Sequence, residues 1–145
     1  VNPMNLRNPG RDDIIVSAAG PASNLVQAFV FALVLRGVFA MAGEFDSRRD
    51  HEIMAVVSLC YFGVLINVGL AVFNLIPAFP LDGFHVLGNL AKGESRQRFL
   101  DTARYGPFII IALVILSHTE VNPLGRMILP VLRLFFRDVA GHDLV

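Results

Sequence analysis

Charge is what this chain has least of. Only 17% of its 145 residues are Asp, Glu, Lys or Arg, against about 25% in an ordinary soluble domain. The 12 basic and 12 acidic side chains cancel to a net charge of zero. There is therefore no basic footprint of the kind that binds nucleic acid, and no nucleic-acid partner is expected. Cysteine is almost missing too. A lone Cys60 excludes an internal disulfide and any cysteine-based zinc cluster. It stands in an apolar run and reads as a small packed side chain. No internal repeat or low-complexity segment is present.

What fills the chain instead is hydrocarbon. It is 54% hydrophobic with a mean hydropathy of +0.61, and its apolar residues come in long runs. That combination predicts an all-α, polytopic integral membrane protein. We expect about three transmembrane helices plus a short interfacial or fourth helix, in a single membrane domain over residues 1–145. Residues 1–13 are polar and rich in turn signals such as Asn2-Pro3 and Asn8-Pro9-Gly10, with Asp12 or Asp13 placed to cap the helix that follows. Val1-Asn2-Pro3-Met4-Asn5 reads as the interior of a longer sequence, so a partial or processed chain is expected.

Residues 14–42 exceed the roughly 20 apolar residues that a bilayer core requires. They hold the small, kinkable segment Ser17-Ala-Ala-Gly20-Pro21-Ala-Ser23-Asn24, suited to close helix contact, and Arg36 toward the far end, where its stem can snorkel to headgroups. A charged loop follows. Its His51-Glu52 begins a zinc-protease motif, but position 55 is Ala, so no second imidazole shares the helical face. The second span is expected over 53–76, with Gly63, Asn67 and Gly69 favouring close packing. Residues 83–105 read as a water-facing loop or amphipathic helix. Residues 106–117 form a third, short apolar span, and 123–137 an interfacial or spanning helix whose arginines favour the interface. Lys92, Arg96, Arg98 and Arg104 beside the spans predict that the amino end and the 83–105 loop face the cytoplasm.

The stretch with chemistry in it is Asn74-Leu-Ile-Pro77-Ala-Phe-Pro80-Leu81-Asp82-Gly83. Two prolines stop any helix there, and the acid stands on irregular backbone at the edge of an apolar phase. Ionisable groups in that position are costly and mark function. Asp82 reads as a metal ligand, an ion-coupling site or a helix N-cap. The prolines fix the backbone and Gly83 permits a close approach, which suits a ligand. A lone aspartate cannot hold zinc, and none of the four histidines pairs with another at helical spacing.

Asn74-x-x-Pro77-x-x-Pro80-Leu81-Asp82-Gly83 resembles a signature of the site-2 proteases, the zinc intramembrane metalloproteases. Gly20-Pro21-x-x-Asn24 is similar to that family's Gly-Pro-x-x-Asn segment, and the likeness runs from residue 1 to about 137. The resemblance implies that Asp82 is the third zinc ligand and that Asn24 and Asn74 position substrate. Gly20, Pro21, Pro77, Pro80 and Gly83 are then the structural residues of the motifs. It also implies water attack on a peptide bond within the membrane. Zinc lowers the pKa of that water and polarises the carbonyl, and a glutamate takes the proton.

The family's His-Glu-x-x-His helix has no counterpart in these residues. A missing amino-terminal part or a separate chain is expected to supply it, and this chain alone is expected to be inactive. The expected function is that of a zinc metalloprotease acting on membrane-protein segments within the lipid bilayer of a prokaryotic plasma membrane. The alternative is a non-catalytic scaffold or pseudoprotease that binds transmembrane segments. A transporter using Asp82 for ion coupling has less to recommend it, since no repeated half or second intramembrane acid occurs.

Overall fold

A computed structural model describes residues 9–42 and 51–141, and among them there is no strand. In chain order the helices are α1 (Pro9–Ala42), α2 (His51–Asn74), α3 (Asp82–Leu90), α4 (Gly93–Asp101), α5 (Gly106–Ser117) and α6 (Pro123–Arg133). A 3-10 turn, Thr102–Tyr105, joins α4 to α5, and a π-helical turn, Leu134–Val139, continues α6.

Among the described residues, three helical stretches are long and apolar enough to cross a membrane: Arg11–Met41, His51–Asn74 and Gly93–Ser117. The protein is an all-α integral membrane protein. The third stretch is longer than the apolar run over 106–117 suggests. Hydropathy changes at Gly106-Pro107, but a proline in the first turn of a helix removes an N–H that would have no partner there. The helical path therefore passes from α4 through the 3-10 turn into α5. Residues 83–105 are accordingly mostly helix, with α4 exposed throughout but for its last apolar residues, Phe99 and Leu100. At the other end, α1 begins at Pro9 rather than after Asp13. Proline is well suited to a first helical position, and Asp12 and Asp13 lie inside the helix rather than at its cap.

The chain divides into two units, one drawn from Val1–Ser23 and Ala71–Gly125, the other from Asn24–Leu70 and Arg126–Val145. In the second, helix packing follows the rule for an apolar solvent. The buried stripe is of small or branched residues: Ala28, Ala32 and Leu35 on α1, and Cys60, Val64 and Val68 on α2. Phe29, Val30 and Leu33, or Leu59, Phe62 and Ile66, face outward. In water that pattern would be inverted; in lipid, tails are as apolar as the core, and close fit decides which residues go inside. Gly63 supplies such a fit, because a Cβ there would stand 2.6 Å from the Phe31 ring.

Gly69, by contrast, has nothing within 4 Å of such a position, so it does not mark a contact among the described residues. Asn67 donates to the Gly63 carbonyl of its own helix at 2.8 Å rather than to a neighbouring helix. Phe136 is fully buried and stacks on Tyr61 with ring centroids 5.1 Å apart. Arg36 donates to the Val139 carbonyl at 3.3 Å, so its guanidinium is drawn to the end of the last helix.

Two glycine substitutions separate packing from propensity. Gly63→Val is expected to lower stability in detergent by about 1–3 kcal/mol, as overpacking does. Gly69→Ala is expected to raise it by up to about 1 kcal/mol, the gain in helix propensity. Thermal unfolding of both variants reads the difference, and equal midpoints would contradict the packing described.

Candidate functional site

The site lies within the first unit and starts from the way α2 ends. Beyond Asn74 the Leu75 N–H still reaches the Ala71 carbonyl at 3.2 Å and the Ile76 N–H reaches Phe73 at 3.1 Å. The helix therefore loosens over one turn before the prolines stop it. Ala78 then donates to Ile76 at 2.8 Å and Leu81 to Ala78 at 2.9 Å. The Phe79–Pro80 peptide is cis. Ile76 and Ala78 point inward while Pro77 and Pro80 are exposed.

Two glycines clamp this loop by lacking side chains. A Cβ on Gly83 would lie 2.7 Å from the Ile76 carbonyl oxygen and closer still to that of Leu75. A Cβ on Gly106 would collide with the Phe79 carbonyl. Neither obstacle is a movable side chain; both are backbone.

Asp82 is the first residue of α3, and Leu81 occupies the cap position without a side-chain cap bond. A carboxylate in the first turn is favoured by the helix dipole, but Asp82 does not cap the helix. It is half-buried and has no hydrogen-bond or ion-pair partner among the described residues. Its Oδ2 lies against α1 at Gly20, where an added Cβ would come within 2.9 Å. Pro21, the next residue, is buried, and Gly20's carbonyl accepts a 2.8 Å hydrogen bond from Ser23 Oγ.

Asp82, Gly20 and Gly83 are thus brought together, with Pro77 and Pro80 shaping the approach. Asn74 is half-buried at the end of α2, and Asn24 is half-buried in the other unit. Neither carboxamide forms a hydrogen bond among the described residues.

Two features escaped the sequence reading. One is Gly106, whose signal was available: Gly106-Pro107 repeats the dipeptide Gly20-Pro21. The other is a polar cluster one helix length from Asp82. Asn89 donates its Nδ2 to Asp13 Oδ2 of α1 and to the His85 carbonyl at 3.0 Å. His85 Nδ1 stands 3.8 Å from the same Asp13 oxygen, beyond hydrogen-bonding range. A cavity of about 180 Å³ opens beside the cluster, lined by Asp13, Phe79, His85, Asn89, Arg96 and Leu100 among others.

A catalytic zinc takes three protein ligands. Among the described residues no three His, Cys, Asp or Glu side chains gather closely enough to hold a metal. His51 is exposed at the start of α2, His85 lies beside Asp13, and His118 Nδ1 is 2.8 Å from the Val114 carbonyl. His142 lies outside the described residues. The described residues do not gather a complete zinc site; they offer the Asp82 carboxylate.

The comparisons with known proteins point to one family. The family model described as peptidase family M50 matches residues 4–117. A protein of Bacillus subtilis (strain 168), named "Putative zinc metalloprotease YwhC", is 33% identical over 133 residues, covering 89% of this chain and 55% of its own length. This chain thus spans about half the length of the curated relative it matches. No solved structure matches it.

Gly106→Ala is expected to push the Phe79 carbonyl away and open the loop, at a cost of about 1–3 kcal/mol. The measurement is thiol labelling of a cysteine introduced by Ala78→Cys, with Cys60 replaced by Ser. Ala78 is 2% exposed, so labelling starts slow and Gly106→Ala should accelerate it. An unchanged rate would mean that the loop has room for the methyl group.

Proposed function

Because the chain belongs to peptidase family M50, the site-2 proteases, we propose that it is part of a membrane-embedded zinc metalloprotease that hydrolyses peptide bonds of membrane proteins. In this reading the chain contributes Asp82 as one zinc ligand. The remaining ligands and the general base come from residues outside these 145, on another part of the same protein or on a separate chain. The observation that carries the reading is the state of the Asp82 carboxylate. It is half-buried in an apolar protein, has no partner among the described residues, is not used as a cap, and is held against Gly20 of α1, where there is no side chain. A buried or half-buried charge without a partner is costly, and a cation arriving from outside the described residues would compensate it.

Asn24 and Asn74 take the role of substrate-positioning groups. A carboxamide can donate to a peptide carbonyl and accept from a peptide N–H, and both are free of hydrogen-bond partners among the described residues. The protein sits in a prokaryotic plasma membrane with its amino end and the 83–105 segment on the cytoplasmic side. Lys92, Arg96, Arg98 and Arg104 support that orientation. Neither the family match nor the relative's name favours a non-catalytic scaffold.

The test uses the natural full-length protein, purified in detergent, with zinc measured per chain. Asp82→Ala is expected to lose most of the bound zinc and all detectable peptide hydrolysis, while Asn74→Ala keeps the zinc and loses at least about tenfold in cleavage rate, a lost hydrogen bond to the reacting group. Zinc retained at full stoichiometry in Asp82→Ala would refute the ligand assignment. Orientation is read separately. In sealed inverted vesicles protease should cut the 83–105 segment, and protection would reverse the topology.

A further inference from the structure

Within the first unit, α3 meets α1 through polar groups near both of its ends. Asp82 Oδ2 lies against Gly20, and Asn89 Nδ2 donates to Asp13 Oδ2. Position 82 pairs with 20 and position 89 with 13, so the two segments run antiparallel. Both intervals are seven residues, which is two helical turns and about 10.5 Å. His85, between the two on the same face of α3, faces Asp13 as well. The spacing matches on both helices, so neither contact requires the other to give way.

We propose that Asp13 and Asn89 are positioning residues: their hydrogen bond sets the register of α3 on α1 and thereby where the Asp82 carboxylate stands. Apolar helix faces specify register weakly in lipid, because the surrounding tails are as apolar as the partner helix. A paired polar group specifies it better, since sliding would break the bond and leave two half-buried groups, Asp13 and Asn89, without each other. A slip of one turn moves α3 by about 5.4 Å and would bring His85 or Val86, rather than Asp82, opposite Gly20.

Three details fit the role. Asn89 makes both of these bonds through Nδ2, and both partners are acceptors, which fixes the orientation of the amide. The bond to the His85 carbonyl, one turn back on α3, holds the carboxamide rotamer while it reaches across. The neighbouring cavity is lined by Asp13, His85 and Arg96, so the charge on Asp13 need not be fully desolvated. Arg96 is itself anchored, donating to the Gly88 carbonyl of α3 at 3.1 Å.

The consequence for zinc rests on the ligand role proposed above for Asp82; the register does not. The two are tested separately in the natural full-length protein, with its native cysteines replaced (Cys60→Ser here). A cysteine pair introduced by Gly20→Cys and Asp82→Cys reports the approach of the two positions as disulfide formation in native membranes, since the bond needs Cβ atoms about 4 Å apart. The pair should crosslink readily. Adding Asp13→Ala should slow crosslinking by about tenfold, the scale of one lost charge-assisted hydrogen bond. The reciprocal exchange, Asp13→Asn with Asn89→Asp, should restore most of it, because donor and acceptor change sides across the helices while only the bond to the His85 carbonyl is lost. Variants are compared as monodisperse, folded protein. Undiminished crosslinking in Asp13→Ala, or no recovery in the exchanged variant, would overturn the proposal.

In the second arm Gly20 and Asp82 are left intact and zinc alone is competed against a chelator. Affinity should fall about tenfold in Asp13→Ala and recover in the exchange. Zinc binding indifferent to Asp82→Ala would sink the ligand reading while the crosslinking arm still decides the register.

Discussion

A carboxylate oxygen and a helix backbone occupy adjoining space at Gly20, and much of the first unit can be read as what makes that contact possible. Gly20 must lack a side chain, because a Cβ there would press to 2.9 Å from Asp82 Oδ2. Asp82 must arrive at the start of a helix, where the dipole favours a negative charge. The loop before it must end one helix and begin another within seven residues, 75–81. Pro77 and Pro80 enforce the interruption. Gly83 and Gly106 let the loop backbone lie against neighbouring backbone. Each of these residues serves the position of one acid, and substitution of any of the glycines meets backbone or the acid itself.

The medium explains why glycine rather than bulk does this work. In water a site of this size would be held by burying large side chains, with each apolar group contributing its transfer free energy. In a lipid phase that term vanishes between helices. Phe108, Ile111 and Ile115 on α5 are therefore left facing outward, while the contacts that fix geometry are the close approaches at Gly20, Gly83 and Gly106 and the single bond between Asp13 and Asn89. Irregular backbone also has to be sheltered in such a phase. The loop achieves this by turning Ile76 and Ala78 inward and by short-range bonds from the N–H groups of Leu75, Ile76, Ala78 and Leu81.

How much of this could be read from the residues depended on the range of the interaction. Two of the spans and the acid at the head of α3 follow from local composition and from the helix-breaking chemistry of proline, and both were legible. The start of α1 at Pro9 and the continuation of α4 into α5 were not. Both hinge on a proline in a first helical turn, a position where it is compatible with helix, so a boundary signal marked a continuation. Asp13 looked like a local cap because capping is the short-range option for an acid near a helix start. Its actual partner, Asn89, is 76 residues away, and nothing in either neighbourhood announces the pairing. Gly69 and Gly63 are alike in sequence terms, yet only Gly63 carries a contact, because which face of a uniformly apolar helix turns inward is decided by its neighbours.

If Asp82 serves as the proposed ligand, holding it rigidly bears on how a zinc site could be completed from outside these residues. Helices inserted in a membrane assemble afterwards by fit and by polar contacts. A segment bringing imidazoles would have to immobilise whatever carboxylate it met, and each flexible group frozen on binding costs about 0.5–1.5 kcal/mol. Here that cost is largely met in advance. The backbone before Asp82 is set by Pro77 and Pro80, α3 is tied to α1 through Asn89, and the carboxylate has no competing donor among the described residues to be stripped away. A preorganised ligand also disfavours the wrong geometry, since its oxygen cannot follow a metal placed elsewhere. An acid whose surroundings were evolved merely to bury it would be paired or capped. Asp82 is instead fixed against Gly20 with no partner among the described residues, which is the arrangement the proposed ligand role requires.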